Sequence, residues 1–281
     1  MSPSARIGFM QGRLSPLVDN RIQAFPWRTW QQEIQIAAQL GFLLMEWTID
    51  QERLYENPLM TAVGRAEIAD VCRRYGVSVP SLTGDCFMQA PFWKVQGHER
   101  QNLQHDFLAV AQACAAMGIA IIHIPLVDNG RLDTPAQEDT LVTFLQDQAA
   151  FLVGHGLRVV FESDFDPKET GRFIARLDPG GFGINYDIGD RAALGFNPIQ
   201  EMAAYGPRIL NVHVKDRLRG GTTVPLGTGH ADFDEAFAAL HDAGYCGHYI
   251  LQTARAADDD HAGALCRYRD MTVDWLSRHA G

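Results

Sequence analysis

Short apolar runs alternate with amphipathic stretches from one end of the chain to the other. Arg6–Met10 reads as a first strand. Thr29–Leu40 places Trp30, Ile34, Ala37 and Ala38 on one helical stripe, and Gly41 follows where a glycine commonly closes a helix. Phe42–Trp47 is the second strand, Thr61–Tyr75 the second helix with Gly76 as its stop, and Val77–Leu82 the third strand. Gln101–Met117 is a long helix ended by Gly118 and followed by a fourth strand, Ile119–Ile124. Thr134 is the cap and Pro135 the first-turn residue of a helix over Pro135–Val153. Leu157–Glu162, Phe182–Asp187, Arg208–His213 and His248–Gln252 complete the strands. Helices near Pro167–Leu177, Pro198–Ala204, Asp232–Ala243 and His261–His279 alternate with them.

About eight β–α units of roughly 35 residues each predict an α/β fold, a (β/α)8 TIM barrel in one domain over residues 1–281. The strands read as apolar on both faces, as buried parallel strands do. A doubly wound open sheet is the rival, but no G-x-G-x-x-G opens any of the helices. No linker or low-complexity segment interrupts the alternation.

Composition narrows the class. Apolar residues make up 46% and charged residues 21%, enough for a large core. The net charge is −10 and no basic run exceeds Arg73-Arg74, which argues against a nucleic-acid groove. Cys72, Cys86, Cys114, Cys246 and Cys266 are odd in number and lack C-x-x-C spacing, so a reduced, cytoplasmic setting is expected. The stretch to Met10 shows no signal-like apolar region, and Gly118–Val127 is too short to span a bilayer. No membrane partner is expected, and association into a homo-oligomer stays open.

The chemistry gathers at strand ends. His213 closes a buried run and is followed by Lys215-Asp216-Arg217. Barrels place reactive groups at such carboxyl ends. Glu162, Asp187 and Gln252 close three other strands, and Glu, Asp, His and Gln together offer oxygen and nitrogen ligands to one divalent cation. Each has a plainer reading. Glu162 can be a strand-end carboxylate reaching solvent, Asp187 a helix cap, His213 a satisfied core histidine and Gln252 an ordinary polar residue.

Weaker candidates surround these four. Glu46 and His123 end the second and fourth predicted strands and face the same mouth, unless one caps a helix and the other bonds a backbone carbonyl. Arg217, Arg219 and Arg255 flank the last two strand ends, where barrels often hold phosphate. Gly227-Thr-Gly229 offers amides to an anion or is only a turn. Trp27, Trp30, Trp47 and Phe92-Trp93 line a sugar pocket or belong to the core.

Six segments carry a resemblance: Ile7-Gly-Phe-Met-Gln-Gly-Arg-Leu14, Met45-Glu-Trp47, Phe161-Glu162, Asp187-Ile-Gly189, His213-Val-Lys-Asp216 and Gly244-Tyr-Cys-Gly247. Through nearly its whole length the chain resembles the xylose isomerase-like TIM-barrel family, especially its sugar and sugar-phosphate isomerase/epimerase branch. The resemblance implies one divalent metal ion (Mn, Mg, Co or Zn) held by Glu, Asp, His and Glu from strands five to eight. The first three fall on Glu162, Asp187 and His213. Two departures stand out. The eighth-strand Glu is Gln252 here, and the histidine often found three residues after the sixth-strand Asp is Asp190, a substrate-side residue able to return the missing charge. In epimerases of the family the two glutamates exchange a proton from opposite faces of the substrate carbon, which an amide cannot do.

The resulting expectation is a metal-dependent isomerase of a small sugar or sugar phosphate, acting through an enediolate. Glu162 is the base; Asp187, His213 and Gln252 complete the metal site; Lys215 or His123 polarises the carbonyl or shuttles a proton. With a single base, aldose–ketose isomerisation is expected over epimerisation. The alternatives are a sugar (phosphate) 3-epimerase and a carbohydrate-binding barrel with reduced catalysis. Metal-assisted phosphodiester hydrolysis is disfavoured by the acidic charge and the lack of a multi-His cluster.

Overall fold

The alternation resolves into eight parallel strands that close on themselves. The computed structural model describes residues 3–279; Met1, Ser2, Ala280 and Gly281, which the single-domain expectation also covers, lie outside the described residues. The barrel strands are β1 (Ile7–Met10), β2 (Met45–Ile49), β3 (Ser81–Gly84), β4 (Ile121–Leu126), β5 (Arg158–Ser163), β6 (Phe182–Asp187) and β7 (Ile209–Val214). A two-residue hairpin, β8 (Asp216–Arg217) with β9 (Thr223–Val224), precedes the eighth barrel strand, β10 (Tyr249–Leu251). β1 pairs with β2 on one side and β10 on the other, so no barrel edge is left open.

Around them lie α1 (Trp30–Gln39), α2 (Ala62–Tyr75), α3 (Asp85–Gln89), α4 (Gly97–Met117), α5 (Pro135–Gly154), α6 (Pro167–Ile174), α7 (Ile188–Leu194), α8 (Pro198–Tyr205), α9 (Phe233–Asp242) and α10 (His261–His279). Side-chain caps from Thr61, Thr134 and Asp166 start α2, α5 and α6, each satisfying one orphan amide of a first turn. No helix among the described residues is long and apolar enough to cross a membrane.

Strands two, three and four begin two to four residues later than the apolar runs suggest. Phe42, Val77 and Ile119 are buried, but as residues of the connections that precede the strands, and an apolar run does not separate buried connection from strand. The shift moves Glu46 and His123 from strand ends to strand interiors.

The expectation of strands apolar on both faces also changes. Outward residues meet the helices: Phe161 packs edge-on against Phe173 of α6, and Tyr249 stacks on Phe237 of α9. Inward residues are largely polar. Asn211 and His213 of β7 reach across the barrel to Glu46 of β2, although β1 and β10 lie between the two strands. Buried polar groups must be paired, and here they pair with one another.

Candidate active site

Glu46 lies at the bottom of this polar interior. It accepts Ser81 Oγ at 2.6 Å, Thr83 Oγ1 at 2.5 Å, Asn211 Nδ2 at 3.0 Å and His213 Nε2 at 2.8 Å. Burial alone would raise its carboxyl, but His213, then His123 and Ser81, outweigh burial and hold it at about 2. Glu46 is therefore a carboxylate that fixes His213 with its proton on Nε2. The other ring nitrogen, Nδ1, is left as a lone pair. It stands 3.7 Å from Glu162 Oε2 and 3.8 Å from Asp187 Oδ2.

Glu162, Asp187 and His213 thus present ligand atoms within 4.8 Å of one another. Ligand bonds of about 2.0–2.6 Å produce such spacings around one cation. A carboxylate behind a histidine ligand is the usual supporting arrangement in metal sites. The donor set fits a divalent ion. Asn185 holds it together from β6, its Nδ2 lying 2.9 Å from Glu162 Oε2 and 3.1 Å from His213 Nδ1. The neighbouring group of Glu46, His123 and His213 is close enough as well. Its Glu46 oxygens and His213 Nε2 are already committed to each other and to the hydroxyls.

Toward the mouth, Lys215 Nζ is shared by Asp187 Oδ2 at 3.2 Å, Asp190 Oδ2 at 2.9 Å and Gln252 Oε1 at 3.3 Å. Arg217 Nη1 donates to Asp190 Oδ1 at 2.6 Å. Burial disfavours the Lys215 ammonium, but Asp187, Asp190 and Glu162 more than compensate and raise its pKa. Glu162 is raised well above the usual carboxylate range by burial and then by Asp187 and Asp190. Asp190 moves down despite burial, because Lys215 and Arg217 flank it. Asp187 also caps α7, accepting Asp190 N at 2.9 Å through Oδ1, while its Oδ2 faces His213 and Lys215.

A cavity of about 680 Å³ opens above this cluster. Glu162, His123, Asp190, Lys215, Arg217 and Gln252 line it; Asp187 and His213 are fully buried beneath. His123 is pushed down to about 3, first by burial and then by His213, and is neutral. Thr83 Oγ1 gives its hydrogen to Glu46, so it accepts from His123 Nδ1 at 3.3 Å, leaving Nε2 as an acceptor. Among the described residues that nitrogen has no hydrogen-bond partner; it lies 3.5 Å from Glu162 Oε2. An acceptor cannot polarise a carbonyl, so of the two residues expected to do so only Lys215 has the chemistry.

Other expected residues lie elsewhere. Glu46 is beneath the cavity and does not line it. Arg219 lines a separate cleft of about 220 Å³ with Phe196 and His230, and Arg255 donates to the carbonyls of Gly12 and Ser15. The amides of Gly227 and Gly229 are taken by Asp216 Oδ2 at 2.9 and 2.8 Å, so no anion site forms there. Trp30, Trp47, Phe92 and Trp93 are core residues, and Trp27 packs on Phe25; none lines the cavity. Sequence reasoning passed over Asn185 and Asn211, though each stands two residues before a site residue and so shares its strand face. It also passed over Gln23 and Asp85, which line the cavity.

A family model described as xylose isomerase-like TIM barrel matches residues 34–268. L-ribulose-5-phosphate 3-epimerase UlaE of Escherichia coli is 25% identical over 253 residues, spanning 86% of this chain and 88% of that protein. Among solved structures, a xylose isomerase domain protein from Planctomyces limnophilus superposes with a TM-score of 0.75 at 17% identity, over 98% of both chains. A xylose isomerase-like TIM barrel protein from Mycobacterium smegmatis, in complex with magnesium, gives 0.73 at 15% identity over 100% of both. These two likenesses establish the fold.

Proposed function

The chain belongs to the xylose isomerase-like TIM barrel family, and from that premise we propose that it is an epimerase of a small ketose or ketose phosphate. The observation that carries the reading is the convergence of Glu162, Asp187 and the Nδ1 lone pair of His213 under a polar cavity. The name of the E. coli relative supports epimerisation next to a ketose carbonyl and a sugar-phosphate substrate.

Glu162, Asp187 and His213 would hold a divalent ion, with the Gln252 oxygen close by. Such an ion polarises the substrate carbonyl and acidifies the neighbouring C–H. Glu162 takes the proton at that carbon; burial, with Asp187 and Asp190 beside it, raises its carboxyl above the usual carboxylate range. Lys215 offers positive charge to the developing oxyanion. His123 Nε2 accepts from a substrate hydroxyl and so orients the sugar. Arg217, with Arg131 and Arg21 at the rim, supplies cations for a phosphate.

Aldose–ketose isomerisation is the second reading, favoured by one observation: Gln252 stands where a second carboxylate would be needed. Both are tested by incubating the metal-loaded protein in D2O with a panel of ketoses and ketose phosphates, followed by NMR. Inversion with deuterium at the carbon next to the carbonyl is expected, falling at least about 100-fold in Glu162→Gln. Aldose as the sole product selects the second reading. Turnover undiminished in Glu162→Gln sinks both.

A further inference from the structure

Inversion at carbon needs a proton acceptor on one face and a donor on the other. Glu162 supplies one, and the Gln252 amide cannot supply the other. The ionisable groups that line the cavity divide by place. His123, Asp190, Lys215 and Arg217 are clustered with Glu162: His123 Nε2 is 3.5 Å from it, and Lys215 and Arg217 bind Asp190 at 2.9 and 2.6 Å. Arg21, Asp128 and Arg131 are exposed at the rim, and Asp164 is paired with Arg131. Asp85 remains. It directly follows β3, is 7% exposed, and enters the cavity from the end of β3, which β4 separates from the β5 strand of Glu162.

Its hydrogen bonds tie it to the departure at position 252. Gln252 Nε2 donates to Gln23 Oε1 at 3.0 Å, and Gln23 Nε2 donates to Asp85 Oδ2 at 2.7 Å. The N–H of Gln252 thus sets the orientation of the Gln23 amide, which in turn aims its own N–H at Asp85. A glutamate at 252 has no hydrogen to give Gln23 Oε1 when ionised. The change that removes a carboxylate from the eighth barrel strand therefore supplies, beside Arg13 Nη2 at 3.4 Å, a donor that orients Gln23 toward Asp85.

We propose that Asp85 is the second catalytic carboxyl group, serving the substrate face that Glu162 does not reach. The assignment rests on the epimerase reading. In one direction the C–H bond breaks, its proton passes to Glu162, and the bonding pair moves through carbon to the carbonyl oxygen. Asp85, as the acid, then gives its proton to the opposite face as the pair returns and the oxygen becomes a carbonyl again. Nothing is oxidised; exchange with solvent resets both carboxyls, and the reverse reaction swaps their roles.

The surroundings suit a group that must exist in both forms near neutrality. Burial raises the Asp85 carboxyl to about 7 against the pull of Gln23; Asp50 and Glu46 add repulsion, and Arg13 opposes it. Of the elements packed against α3, β4 carries His123 and the turn after it Asp128, and α3 itself carries Cys86.

The test compares native protein, Asp85→Asn and Asp85→Glu, each metal-loaded, with L-ribulose 5-phosphate in D2O. Asp85→Asn should lose epimerisation by about 10²–10⁴-fold. It should still wash deuterium into the substrate with retention of configuration, through Glu162, and bind substrate within about threefold of native. Asp85→Glu should restore part of the inversion, and the limb of the native pH–rate profile near 7 should vanish in Asp85→Asn. Inversion within about threefold of native in Asp85→Asn overturns the proposal, as does parallel loss of exchange and inversion in a folded variant. A 13C-carboxyl titration reads the group without turnover: a midpoint near 7 supports it, one below about 5 overturns it. Failure of the native protein to epimerise any ketose in the panel, whatever the titration shows, instead refutes the epimerase reading and takes this assignment with it.

Discussion

At the scale of the residue, Glu46 governs a site it does not line. Its carboxylate accepts the hydrogen bond from His213 Nε2–H, and the tautomer so fixed turns the Nδ1 lone pair toward Glu162 and Asp187. Glu46→Gln keeps the shape but puts an NH2 group among four donors, so the ring loses its partner or turns. Metal affinity should fall about 10–100-fold, the usual effect of losing a partner behind a ligand. Calorimetric titration with Mn2+ measures this, and unchanged affinity would mean that His213 is oriented by something else. Glu162, Asp187 and His213 were legible in the sequence because carboxylates and imidazole are costly at the end of an apolar run unless something binds them. Arg219 and Arg255 were not, because the aim of a loop side chain depends on the loop's path. Asp85 was hidden by a boundary: with the third strand ending at Leu82, a carboxylate three residues on is merely in a loop.

At the scale of the element, the short helix α7 is what the sequence does not announce. Ile188, Gly189, Asp190, Arg191 and Ala193 are all buried, so it shows no polar face and no amphipathic stripe. Its place is dictated by Asp187 at its cap and by Gly189, where a Cβ would lie 2.7 Å from both C and O of Lys215. That close approach keeps Asp190 within reach of the Lys215 ammonium. Gly189→Ala should push α7 away from the end of β7, costing about 1–3 kcal/mol of stability by overpacking. It should also weaken Mn2+ binding through the displaced Asp187. Melting temperature and metal titration, measured together, check this; a variant with native values for both shows that the backbone yields there without cost. The long helices and most strands were readable because their periods persist over many residues. Strands two to four were offset where buried apolar connecting residues extend the runs.

At the scale of the whole molecule, three buried carboxyls outside the Glu162, Asp187 and Asp190 cluster contribute to how stability follows pH. Glu46 is held at about 2, below its ordinary 4.5, so its contribution is complete above about pH 4.5 and is lost as pH falls toward 2. Glu33 and Asp85 shift the other way, each to about 7, chiefly through burial. For a carboxyl raised on folding, the contribution is complete below its unfolded value and is lost as pH rises through the folded one. Their contributions therefore decline between about pH 4 and pH 7, while Glu46 has nothing more to add. Above the pI the net charge works in the same direction: −10 at pH 7 with a pI near 5.4 means that self-repulsion grows from about pH 5.4 upward. The metal-free protein should accordingly melt at a higher temperature at pH 5 than at pH 8. Glu33→Gln retains an acceptor oxygen for the Gly12 and Leu14 amides but has no proton to lose, so its melting temperature should vary less with pH. Calorimetric melting across this range decides the matter. A higher melting temperature at pH 8, or an unchanged slope in Glu33→Gln, would show that these carboxyls are already ionised in the fold.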